Sequence, residues 1–115
     1  MVAAATTNNG MSDDLGWDLD IKKVEARTTG VGGTWVDGTV AGHRFQALIF
    51  AGHAANPEHQ VNGDSRISKL WLQRLAGKHV VYSWDRGLDV PPADSMAAAI
   101  VDFVCEGLAD FIFGR

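Results

Sequence analysis

The sequence predicts an α+β domain, a four-stranded antiparallel β-meander with one long C-terminal amphipathic helix packed on one face. Three observations carry this expectation. Short β-branched and aromatic runs recur between Thr34 and Asp85, separated by Gly-, Asn- and Pro-containing gaps. Ala41-Gly42 separates two of these runs by two residues, the spacing of a tight hairpin. Beyond Pro91-Pro92 the apolar residues change to a helical period.

Met1 to Asp14 is small and polar and reads as a tail, with Met11 as a candidate alternative start. Leu15 to Arg27 satisfies two patterns. Ser12, Asp13 and Asp14 ahead of Lys22, Lys23 and Arg27 resemble helix capping and dipole complementarity, whereas Trp17, Leu19 and Ile21 alternate as in a strand. Thr28 to Gly33 reads as a glycine-rich linker. The division that follows is an N-terminal segment over 1–30, flexible or partly ordered, and a sheet-plus-helix domain over 31–115.

The four strands are expected at Thr34 to Val40, His43 to Phe50, Arg66 to Gln73 and His79 to Asp85. A long polar loop, Ala51 to Ser65, joins the middle two, and Gly87 to Pro92 breaks the sheet. Pro91-Pro92 with Asp94 and Ser95 forms a helix-start signature. Met96, Ala97, Ile100, Val101, Phe103, Val104, Gly107, Leu108, Phe111 and Ile112 share one broad face, Asp102, Glu106 and Asp110 the opposite one, and Gly114 marks the end.

Strict alternation along each strand puts large apolar groups on both sheet faces. Ile67 and Trp71 would lie opposite Leu70 and Leu72, and Val80, Tyr82 and Trp84 opposite Val81. One helix covers one face. The other would be closed by the segment around Trp17, Leu19 and Ile21, by a second copy of the chain, or by a protein partner.

The chain has 115 residues with 46% hydrophobic and 21% charged, sufficient for one modest core. No apolar run reaches membrane-spanning length, and the first ten residues lack the pattern of a secretory signal. A single cysteine, Cys105, suits a reducing cytoplasm. The net charge of −4 argues against a broad basic face for nucleic acid, though not against a local patch.

At Gly33 to Phe50, Asn62 to Leu72, Trp84 to Asp89 and Ile100 to Ala109 the chain resembles a small bacterial domain of unknown function found on plasmids, integrative elements and phages. The run Arg66-Ile67-Ser68-Lys69-Leu70-Trp71 is the most specific piece. Asp64-Ser65 stand where the family pattern has a glycine pair. The resemblance implies a mobile-element setting and no catalytic residues.

No constellation of nucleophile, base and orienting group can be assembled, so the expectation is a non-enzyme without cofactor or metal. His43, His53, His59 and His79 match no metal spacing. Cys105 has no base within helical reach. Gly30 to Gly33 lacks the lysine of a phosphate loop. Asp85-Arg86-Gly87 reads as a turn or ion pair.

Two binding readings remain. The first is a protein-interaction module of a mobile element, with inhibition of host defence (anti-CRISPR-like) as one form. Its interface residues would be Trp35, Trp71, Tyr82, Trp84, Asp102, Glu106 and Asp110. The second is a nucleic-acid-binding accessory protein using Arg66, Lys69, Trp71 and Arg74.

Overall fold

The computed structural model describes residues 19–27, 32–54 and 56–113. The expectations for Met1 to Asp14, Trp17, Gly30, Val31 and Gly114 fall outside them. Among the described residues one antiparallel sheet has six strands in sequence order, a simple meander. They are β1 (Asp20–Ala26), β2 (Thr34–Val40), β3 (His43–Ile49), β4 (Ile67–Arg74), β5 (Val80–Asp85) and β6 (Leu88–Val90), followed by the helix α1 (Ser95–Phe113).

The expected four strands thus become six, one added at each edge. β1 resolves the helix-or-strand ambiguity in favour of the strand. It is an outer strand, mostly solvated and carrying Lys22, Lys23 and Glu25, so its composition reflects edge protection and not helix capping. β6 is three residues long, too short to show a period-two pattern.

Four register shifts interrupt the ladder, and two of them rearrange the expected faces. Leu48 pairs with Lys69 but Ile49 pairs with Ile67, which leaves Ser68 as an extra residue in β4. Leu72 pairs with Tyr82 but Gln73 with Val80, which leaves Val81 extra in β5. A bulge places two residues opposite one and resets the alternation. Ile67 therefore joins Phe45, Ala47, Ile49, Leu70 and Leu72 beneath the helix, opposite to Trp71. Val81, Tyr82 and Trp84 also lie against that core, Trp84 partly exposed. This shifts the large apolar groups toward the helix side, and Tyr82 and Trp84, named as candidate interface residues, lie on that side. Of the residues named for the uncovered face, Trp71 remains there, joined across the register by Trp35 and Leu48.

The helix starts where the sequence places it. The Asp94 carboxylate accepts a hydrogen bond from the Ala97 amide at 2.8 Å, an N-cap that satisfies one orphan donor. Ala97, Ile100, Val101, Val104, Leu108 and Ala109 are buried. The buried stripe is narrower than expected: Phe103 is only partly buried, and Met96 and Phe111 are 47% and 66% exposed. Gly38, in mid-β2, makes room in the core. A Cβ there would stand 2.6 Å from the Asp20 carbonyl and 3.1 Å from the Phe45 ring, so the glycine lets β1 and that ring approach closely.

Candidate functional site

At the end of the sheet where β3 leaves and β4 enters, a cavity of about 500 Å³ opens. Its walls come from several segments: Arg27 after β1, Leu48 and Phe50 at the end of β3, His53, His59 and Gln60 in the long loop, Arg66, Ser68 and Lys69 at the start of β4, and Arg86 in the β5–β6 turn. No carboxylate stands among the described lining residues, whereas four carry permanent positive charge and two are histidines.

Local structure explains the convergence. The loop is compact, with two short 3-10 turns, Pro57–His59 and Val61–Gly63. Asn56 caps the first by accepting from the Glu58 amide at 3.0 Å. Gln60, 5% exposed, wires the loop to β4. Its Nε2 donates to the Gly63 carbonyl at 2.7 Å, so its Oε1 is the acceptor end. That oxygen accepts from the Arg66 amide at 3.2 Å and meets His53 Nδ1 at 3.1 Å. An amide oxygen only accepts, so His53 must donate through Nδ1–H, which leaves Nε2 to meet a ligand.

Two of the cavity arginines occupy left-handed backbone: Arg66 at φ 63° and Arg86 at φ 56°. Such conformations are costly for residues other than glycine, asparagine and aspartate. The Ser68 bulge also acts here, because the extra residue turns both Ser68 and Lys69 toward the cavity. The apolar wall depends on Gly33. At φ 97° it lies so close to Phe50 and Leu48 that a Cβ would come within 2.9 and 3.0 Å of them.

The cations are partly balanced from outside. Arg66 pairs with Asp110 of α1 at 2.5 Å and donates to the Ala51 carbonyl at 2.9 Å. Asp85 lies 3.6 Å from Lys69 and 3.9 Å from Arg86, the ion-pair reading of that turn. Arg27 donates through Nε to the Gly32 carbonyl at 2.7 Å, a neutral partner.

The four residues named from sequence for nucleic acid divide. Arg66 and Lys69 line the cavity. Trp71 lies on the open sheet face under Arg44, whose guanidinium carbon is 5.9 Å from the ring centroid. Arg74, at the far end of β4, pairs with Asp94 at 2.5 Å. Sequence reasoning missed Arg27, His53, His59, Gln60 and Arg86. They are distant in sequence, and only the meander brings them together. For Arg86 the local sequence signal was Gly87, the turn residue that follows it.

The candidate interface residues also divide. Asp102 and Glu106 are exposed on α1, and Asp110 is paired with Arg66. Trp35 and Trp71 are half-buried on the open face. There Asp37 accepts from Arg44 at 2.8 and 3.2 Å and from Gln46 at 3.1 Å. The Arg44 guanidinium holds the Asp37 carboxyl below the usual range against the opposing effect of burial. Tyr82, 4% exposed, is pushed up to about 12 by burial, with Cys105 and Asp102 adding to the shift. Burial also pushes the Cys105 thiol up to about 12, although a hydrogen bond with Ser65 works against it. A thiol so held protonated is a poor nucleophile. Among the described residues no His, Cys, Asp or Glu side chains form a group of three able to hold a metal ion, and no helix is long and apolar enough to cross a membrane.

No curated protein and no solved structure matches the chain. One family model does, over residues 34–109, from the start of β2 to the last turns of α1 and with every cavity segment except Arg27 inside it. The chain belongs to the family described as a domain of unknown function, DUF7678.

Proposed function

We propose that this domain is a non-enzymatic binding module for nucleic acid, and that the cavity holds the phosphate. The observation that carries the reading is the charge of the lining. Arg27, Arg66, Lys69 and Arg86 converge with two histidines and no lining carboxylate, in a chain whose net charge is −4. Phosphate contacts supply most of the affinity of nucleic-acid binding. Phe50 beside the cations adds an apolar surface on which a base can stack.

The test is titration of labelled single- and double-stranded oligonucleotides by fluorescence anisotropy across salt concentrations. The expected result is binding at low salt that weakens with a log–log slope of about −0.7 per phosphate neutralised on a single strand. Lys69→Gln and Arg27→Gln should weaken it. The absence of measurable binding at low salt would refute the reading.

A second reading has its own observation. Trp35 and Trp71 on the open sheet face, with Arg44 over Trp71, combine residue types that dominate protein-interface hot spots. A protein partner or a second copy of the chain would dock there; the exposed acids Asp102 and Glu106 lie on α1, on the other side of the sheet. The resemblance to domains of plasmids, integrative elements and phages, together with the small acidic chain, supports a role as an inhibitor of host defence in the cytoplasm. Trp71→Ala abolishing capture of a partner while leaving oligonucleotide binding unchanged would favour this reading over the first.

A further inference from the structure

We propose that the cavity is a socket for a terminal phosphate, the monoester at the end of a single nucleic-acid strand, and not for the internal phosphodiester backbone; this rests on the nucleic-acid reading above and narrows its ligand. The first argument is where the uncompensated charge lies. A protein that follows a backbone needs cations spaced along a path. Among the described residues outside the cavity, four of the five basic side chains are matched by acids: Arg44 by Asp37 at 2.8 Å, Arg74 by Asp94 at 2.5 Å, Lys22 by Asp20 at 2.6 Å and Lys23 by Glu25 at 3.4 Å, which leaves Lys78, in the β4–β5 turn, as a lone charge and not a path. In the cavity, among the described residues, four cations meet Asp85 and Asp110, both outside the lining, an excess of two charges. A phosphate monoester carries about −1.5 to −2 near pH 7, close to that excess, whereas an internal diester carries one negative charge.

The second argument is shape. The space is one hollow of about 500 Å³, within the ~300–1,000 Å³ range of small-ligand sites. It has room for a nucleotide and its phosphate, not for a run of them. Phe50 and Leu48 form the apolar part of the wall, where the terminal base would lie, while Lys69 and Arg86 supply the charge. The third argument is preorganisation. Arg66 and Arg86 adopt left-handed backbone, and the buried Gln60 fixes both the Arg66 amide and the His53 ring. His53 Nε2 is thereby the ring atom left to face a terminal phosphate oxygen.

The test compares ten-nucleotide single strands of one sequence bearing a 5′-phosphate, a 3′-phosphate or neither, each with an internal label, titrated with the full chain by anisotropy. A preference of about tenfold or more for a phosphorylated end, displaced by a nucleoside monophosphate, is the expected result. Lys69→Gln and Arg86→Gln, confirmed folded by circular dichroism, should remove the preference, and Arg74→Gln should preserve it. Equal affinity for all three strands overturns this inference and leaves the nucleic-acid reading standing. No binding of any strand overturns both.

Discussion

Arg66 and Asp110 form an ion pair that ties the entry of β4 to the last turns of α1 across 44 residues of sequence. The Arg66 side chain is 16% exposed and that of Asp110 36%. The same guanidinium lines the basic cavity, so a helix carboxylate competes with any anion that enters it.

Removing that competitor should strengthen binding. Asp110→Asn is expected to raise oligonucleotide affinity several-fold at low salt. The pair is partly solvated, so its loss should cost at most about 1 kcal/mol of stability. Anisotropy titration and a thermal melt check both halves. Weaker binding by the variant would show that Asp110 holds Arg66 in its binding position.

The buried stripe of α1 separates two kinds of apolar residue. Ile100 is fully buried in the core, whereas Phe111 is 66% exposed. Ile100→Ala should cost about 2–5 kcal/mol. Phe111→Ala should stay within about 0.5 kcal/mol, as surface substitutions do. Phe103, partly buried, falls between them, below the cost of a fully buried ring. Denaturant unfolding of the three variants tests the order, and equal losses at Ile100 and Phe111 would contradict the packing.

The meander and helix were legible because their signals are local. Thr34 to Val40, the Ala41-Gly42 hairpin and the Asp94 cap each carry their own chemistry within a few residues. The face assignment was not legible beyond Ser68. A bulge there has no distinctive residue, yet it moves Ile67 to the helix side and reverses an inference drawn from alternation. The candidate site was half legible. Arg66 and Lys69 lie together in sequence, but Arg27 and Arg86 reach the same cavity only through strand pairing that no short pattern encodes. Arg74 and Trp71 lie outside the cavity for the converse reason, since sequence proximity to Arg66 says nothing of which end or face of β4 they occupy.

Two carboxylates make stability depend on acid. Arg44 lowers the pKa of Asp37, and the Ala97 amide, with help from Arg74, lowers that of Asp94. A depressed folded-state pKa contributes stability that is present above the unfolded value near 3.9 and is lost as pH falls through the folded value. The melting temperature should therefore be flat through neutral pH and decline below about pH 4. Asp37→Asn and Asp94→Asn should each lower the melting temperature at pH 7 and flatten that decline. An unchanged acid profile in both variants would contradict these assignments.

Cys105 should be silent toward alkylating agents. Burial raises its thiol to about 12, so the thiolate is scarce at neutral pH. Mass spectrometry after iodoacetamide treatment at pH 7.5 should show unmodified native protein and full modification in denaturant. Rapid modification of the folded chain would mean that the helix opens locally around Cys105.

Arg86 offers the sharpest separation of binding from stability. It occupies left-handed backbone at φ 56°, where a non-glycine residue costs about 1–2 kcal/mol. Its side chain is 69% exposed, and its nearest ionic partner, Asp85, is 3.9 Å away, so little stability comes from the charge. Arg86→Gly relieves the backbone cost, while Arg86→Ala retains it, and both remove the charge. The two variants should lose oligonucleotide affinity equally, about tenfold. They should differ in stability, with the glycine variant about 1 kcal/mol above the alanine variant, a gap of roughly 4–8 °C in melting temperature for a domain of this size. If the glycine variant melts no higher than the alanine variant, the backbone there is unstrained. If both bind nucleic acid as tightly as the unaltered chain, Arg86 is not part of the site.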